Sequence, residues 1–137
     1  MKFPRLVFIS LPGLLLGVIA FCFFAPADSA RAGSVIAADK HGAYAVRYGH
    51  FSQQELTSQA LAAVKKVSKH PNAAYVYYTT TTHGYGTVLR FNNAKGQQLV
   101  VGTAGCPTAK SAYDKCVASI AKMGIRKWTV ATKWLEE

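Results

Sequence analysis

The sequence predicts an α+β fold: a two-layer sandwich with one mixed sheet of about five strands and two helices packed on one face. Three observations carry that expectation. Residues 42–70 and 98–124 follow one plan, an alternating strand, a glycine and a capped helix, and the copies lie 56 residues apart. Further runs of period two lie between and after these copies. No low-complexity stretch or linker divides the chain after its N-terminal leader.

The chain opens on Lys2 and Arg5, continues through an apolar run from Leu6 to Ala25, and reaches Ser29-Ala30-Arg31-Ala32-Gly33 after Pro26. Charged, apolar and small residues in that order form a secretory signal. Cleavage after Ala32 puts Ala30 and Ala32 in the two small-residue positions, whereas cleavage after Ala30 would put Asp28 in one of them. The run is about 20 residues long, near the span of a bilayer. An uncleaved anchor is therefore the alternative, although Pro12-Gly13 and Gly17 interrupt the run. Lys2 and Arg5 stay on the cytoplasmic side in either case, so the remainder is exported, to the periplasm or beyond. Phe21 before Cys22 does not suit a lipidation site. The expected organisation is a signal over 1–32, a flexible lead-in over 33–41 and a single α+β domain over 42–137.

In the first copy, Tyr44, Val46 and Tyr48 alternate along a strand that Gly49 ends. Ser52 and Glu55 form a capping box, with Phe51 and Leu56 spaced as a hydrophobic staple. Leu56, Ala60, Ala63, Val64 and Val67 follow at helical spacing, and Pro71 stops the helix. Residues 74–82 alternate as a second strand. Residues 85–91 read as an extra strand between the copies, with His83-Gly84 turning into it and 92–96 turning out. In the second copy Leu99-Val100-Val101 makes the strand, Gly105 matches Gly49 and Thr108 matches Ser52. Cys116, Ile120 and Met123 take the places of Ala60, Val64 and Val67, and Gly124 ends the helix. A last strand over 126–135 places Trp128, Val130, Thr132 and Trp134 on one face.

Gly42-Ala43-Tyr44-Ala45-Val46, Ala60-Leu61 and the Cys106 to Cys116 region give this duplicated plan its character. With them it resembles a family of small secreted bacterial proteins built from two strand-helix-strand repeats, for which no function is known. That family is richer in cysteine, usually at its helix ends, whereas Ala60 and Val64 leave the first helix here without any. The resemblance implies a fold and no activity.

Cys106 and Cys116 are the two cysteines beyond the leader, and an even pair in an exported chain predicts a disulfide. The short loop would contribute about 2.8 kcal/mol by chain entropy. A helix starting at Ser111, with Asp114 closing a second capping box, would let Cys106 reach Cys116. The alternative makes Cys106 a nucleophile activated at a helix N-terminus. It needs a histidine base, and His41, His50, His70 and His83 sit in no recognisable signature. The glycines before Cys106, with Lys110 nearby, match neither a Walker loop nor a dinucleotide fingerprint, so an ordinary turn is expected. No metal site is expected: the histidines lack i, i+4 pairing, and the nearest local pair, Asp39 with His41, falls in the lead-in. No cofactor is expected either. Tyr75, Tyr77, Tyr78, Tyr85 and Phe91 crowd the central hairpin and read as core and strand formers before they read as a stacking platform.

A formal net charge of +10 favours anionic partners. Lys65, Lys66 and Lys69 on the first helix and Lys115 and Lys122 on the second lie away from the apolar stripes. If both helices cover one face, these lysines form one basic surface and an anion-binding site. Acidic residues are too few for paired-carboxylate catalysis. The expected function is therefore an exported, non-enzymatic binding module with a basic helical face: an envelope accessory, inhibitor or immunity-type protein. Its partner would be another protein or an anionic envelope component, not nucleic acid, and a membrane only if the leader is kept. A cysteine hydrolase using Cys106 and a binder of anionic envelope polymers are the alternatives.

Overall fold

A computed structural model describes residues 33–137, so the reading of 1–32 as a signal lies outside the described residues. The elements are β1 (Gly33–Ala38), β2 (Tyr44–Gly49), α1 (Gln53–Val67), a 3-10 turn (Pro71–Ala73), β3 (Tyr75–Thr80), β4 (Gly84–Asn92), β5 (Gln98–Cys106), α2 (Ala109–Lys122) and β6 (Trp128–Glu136). The α+β class stands, but the single mixed sheet does not. Two three-stranded sheets form, in the orders β2-β1-β3 and β5-β4-β6. Every neighbouring pair is antiparallel.

The repeat is one strand longer than the sequence suggests. Residues 33–38, expected to be a flexible lead-in, form the buried central strand β1. A strand covered on both faces shows no apolar-polar alternation, so its pattern is a short unbroken run. Gly33-Ser-Val-Ile-Ala-Ala is such a run, and it directly follows the segment read as a signal. With β1 in place, β4 is no extra strand; it opens the second repeat as β1 opens the first. Each repeat is strand-strand-helix-strand, and its first strand lies in the middle of its own sheet.

The hairpin turns repeat as well. Asp39 Oδ1 accepts the N–H groups of His41 and Ala43 at 2.8 and 2.9 Å. Asn93 Oδ1 accepts those of Lys95 and Gln97 at 3.0 and 2.9 Å. Each turn has glycine at its fourth position, Gly42 at φ 86° and Gly96 at φ 76°, where L side chains are strained.

The layers run α1, first sheet, second sheet, α2. Leu56, Ala60 and Val64 of α1 pack on Val35, Ala37 and Ala45. Cys116 and Ile120 of α2 pack on Leu89, Phe91 and Val101. Between the sheets, Ile36 meets Val88, Ala104 and Trp134. Gly102 lets the sheets approach: a Cβ there would lie 2.7 Å from Ile36 Cδ1. The helices thus cover different sheets, which corrects the expectation that they share one face.

Both helix starts follow the sequence. Ser52 and Glu55 close one capping box, and Thr108 with Ser111 closes the other. The second helix therefore begins at Ala109, not at Ser111. In β6 a register shift opposite Val88 and Leu89 leaves Ala131 unpaired. The shift reverses the alternation, so Trp128 joins the layer under α2 while Trp134 enters the layer between the sheets. The four residues expected on one face are split by this bulge.

Candidate functional site

Two groups singled out in the sequence are dispersed or closed by the fold. Lys65, Lys66, Lys69, Lys115 and Lys122 are all exposed, but the first three belong to α1 and its end and the other two to α2. With the helices on different sheets, they do not form one basic surface. Lys115 and Lys122 instead flank a groove beside the free edge of β5, with Tyr77 opposite. Burial pushes the Tyr77 phenol up, against a lowering hydrogen bond from the Gly102 backbone.

Cys106 and Cys116 are buried free thiols, and no disulfide joins them, contrary to the expected staple. Cys116 lies in the layer under α2, and both behave as small apolar side chains. Cys116 Sγ donates to Thr87 O at 3.5 Å, and Cys106 Sγ faces Ala104 O at 3.8 Å. Burial, helped by the neighbouring Cys106, pushes the Cys116 thiol up to about 11. Cys106 is 0% exposed. A substrate cannot reach it, which removes the structural basis for a cysteine nucleophile.

The group that the fold assembles lies elsewhere, around Asp39. After α1 the chain turns through Ser68, and Ser68 Oγ donates to Asp39 Oδ2. The carboxylate therefore joins the β1–β2 turn to the end of α1, with all its bonding inside the protein. Burial pushes the Asp39 carboxyl up, but the bonds from Ser68, His41 and Ala43 and the charge of His41 hold it below the ordinary carboxylate value. The same clasp brings together two histidines far apart in sequence: the rings of His41 and His70 lie 4.1 Å apart between centroids.

Asp39, His41, Gly42, Tyr44, Lys69, His70, Arg90 and Gln98 line a cleft of about 550 Å³. Gly42 closes its base, since a Cβ there would lie 2.6 Å from Gln98 O. Arg90 projects from the inner face of β4, its guanidinium 5.6 Å from the centroid of the Tyr44 ring. The Tyr44 hydroxyl is itself held by Thr132 Oγ1 at 2.6 Å. Among the described residues, Arg90 Nε is buried with no hydrogen-bond partner. A smaller hollow shares Arg90 and Gln98 with the cleft and continues past Lys127 and Trp128.

Comparison with family models, curated proteins and solved structures returned no match. The chemistry of the cleft is thus read from its own side chains. Lys69 and Arg90 are fixed cations, and the two imidazoles are donors or acceptors. Among the described residues the cleft's single carboxylate, Asp39, is spent on the turn and on Ser68. Such a lining attracts an anion. Among the described residues, no three His, Cys, Asp or Glu side chains converge as a metal site.

The Asp39–His41 pair was visible in the sequence, but the lead-in reading hid its position at the end of a central strand. His70 had no signal, because the Ser68 clasp is a tertiary bond. Arg90 did carry one: a charge inside Val88-Leu89-Arg90-Phe91 interrupts an otherwise apolar strand.

Proposed function

We propose that this protein is a small exported, non-enzymatic binding module that takes an anionic group of an envelope component in the cleft around Arg90. The observation that carries this reading is the convergence of Lys69, Arg90, His41 and His70 on one cleft whose only acid among the described residues is already engaged. Arg90 presents a planar donor array suited to a carboxylate or phosphate. Trp128 and Tyr44 supply flat apolar surface beside the cations, as acidic sugars require. The basic helical face recedes to a source of long-range attraction, since its lysines are spread over two helices. The leader pattern supports export, and the two-repeat plan supports the resemblance to small secreted proteins.

The test is salt-dependent retention on an anionic glycan matrix. Arg90→Gln combined with Lys69→Gln should abolish the retention at moderate salt, while Lys65→Gln with Lys66→Gln should shift elution only slightly. Equal losses from both pairs would reduce the effect to bulk charge and refute the site.

A further inference from the structure

At the opposite end of β1 from the cleft, a carboxylate is buried. Glu136 is 3% exposed. Its Oε2 accepts from Ser34 Oγ at 2.9 Å, and Ser34 Oγ in turn accepts from Trp134 Nε1 at 3.4 Å. Among the described residues, Oε1 has no hydrogen-bond partner. A buried carboxylate oxygen without a donor is strongly unfavourable, and one bound cation removes the penalty.

The residue before Ser34 is Gly33, where the leader pattern places the cut. Neighbouring Cα atoms lie about 3.8 Å apart, so the Gly33 nitrogen is within one residue of the hydroxyl that already touches Glu136. Position 33 is also sterically closed. A Cβ there would collide with Gln53 Nε2 and lie 2.8 Å from Thr80 O. The first residue of β1 is thus fitted as glycine against α1 and β3, one residue from the hydroxyl that bonds a carboxylate whose Oε1 no described residue reaches.

We propose that Glu136 is the docking group for the α-ammonium that processing creates on Gly33. A leader-removing peptidase delivers water to the Ala32 carbonyl carbon, and the Ala32–Gly33 C–N bond breaks. Ala32 leaves with the new carboxylate, and the Gly33 nitrogen takes up protons to become an ammonium. This ammonium pairs with Oε1 and locks the central strand of the first sheet to the last strand of the second. Processing is then the final step of folding as well as of export. The inference rests on the export reading and is independent of the anion cleft. Other titratable groups at this end include Tyr48, opposite Ser34 and stacked on Trp134 at 6.0 Å between centroids, Tyr85, opposite Leu135, His50, next to Gly49 opposite Gly33, His83, next to Gly84 opposite Glu136, and Glu137. The rings of His50 and His83 are 6.1 Å apart between centroids.

The test uses the full chain, exported and processed by its host. Intact mass gives the new N-terminus, and the pH dependence of α-amine acylation gives its basicity. The expected mass begins at Gly33. The expected amine titrates at least about one unit above the ordinary 7.7–8.0 and acylates at least about fivefold more slowly at pH 8 than in urea. Glu136→Gln should remove both effects. An N-terminus other than Gly33 overturns the proposal together with the cleavage reading. A Gly33 terminus with an ordinary or lowered pKa overturns the ion pair alone, because burial without a partner lowers an amine. That comparison needs only the wild-type protein and so survives a Glu136→Gln variant that does not fold. Protection that persists in a folded Glu136→Gln protein also overturns it.

Discussion

Replacing Asp39 tests whether one carboxylate holds the cleft together. Asp39→Ala removes the acceptors of the His41 and Ala43 N–H groups, bonded at 2.8 and 2.9 Å, and of the Ser68 hydroxyl. Hydrogen bonds to a charged group contribute about 1.5–3 kcal/mol each. These donors are only half-buried and regain water in the variant, so the net loss is about 2–4 kcal/mol. Asp39→Asn keeps one oxygen for the two N–H groups and can turn its amide toward Ser68, so about 1 kcal/mol is expected. The pH dependence separates charge from shape. The Asp39 carboxyl is held below its ordinary value in the folded protein. Its contribution is therefore complete above the unfolded value, about 3.9, and disappears as pH falls through the lower folded one. Urea unfolding between pH 2 and pH 7 reads both quantities. Asp39→Asn should flatten the acid limb without erasing it, because Glu55 is also lowered, by the side-chain and backbone bonds from Ser52. The reasoning fails if Asp39→Ala lies within about 0.5 kcal/mol of wild type, the ordinary range of a surface change, or if Asp39→Asn keeps the full acid limb.

Two further expectations concern the layers on either side of β5. Gly102→Ala should destabilise by about 1–3 kcal/mol through overpacking, since the new Cβ would lie 2.7 Å from Ile36 Cδ1 and 3.1 Å from Val88 Cγ2. Ile36→Val in the same chain, by deleting that Cδ1, should recover part of the loss in urea midpoint, and an unchanged midpoint in Gly102→Ala would contradict the close approach of the sheets. A thiol titration of the processed protein should find two thiols in urea and almost none at pH 8 under native conditions, because both are buried and Cys116 is pushed up to about 11; no thiol in urea would mean that the pair is oxidised.

What could be read along the chain was local, and what could not was the pairing between elements. Ser52, Glu55 and Thr108 announce their helices because a cap is satisfied within four residues. Leu56, Ala60 and Val64 match Ala112, Cys116 and Ile120 because burial of one helix face repeats every turn. The central strand β1 escaped because burial on both sides erases alternation. The bulge at Ala131 escaped because its extra residue leaves composition untouched and shows only in the register. With β1 missing, one sheet and one shared helical face were the simplest closure, and the basic surface followed from that mistake. The cleft was out of reach for the same reason, since its parts come from the β1–β2 turn, β2, β4, β5 and the end of α1 with the turn after it.

A hollow of about 510 Å³ lies at the matching place in the second repeat, between its hairpin turn and the end of α2, but it lacks the acid and the paired imidazoles, and the duplication shows why. Both hairpin turns have the same architecture, an Asx acceptor at the first position and a glycine at the fourth. They differ in the second side-chain atom. Asn93 turns its Nδ2 back to Gln97 Oε1 at 2.8 Å, and the turn satisfies itself. Asp39 has a second acceptor to satisfy, and Ser68 at the end of α1 supplies the donor. Fifty-six residues on, Ser68 becomes Gly124 and His70 becomes Arg126, so the second repeat has neither the hydroxyl nor the second imidazole. One exchange of amide for acid, matched by one hydroxyl, draws a hairpin and a helix end together. That junction seats His41 against His70, and Arg90 enters it from the other repeat. The asymmetry between the two repeats therefore resides in the Asp39–Ser68 bond, and under the proposed binding role that bond is where loss of binding and loss of stability should coincide.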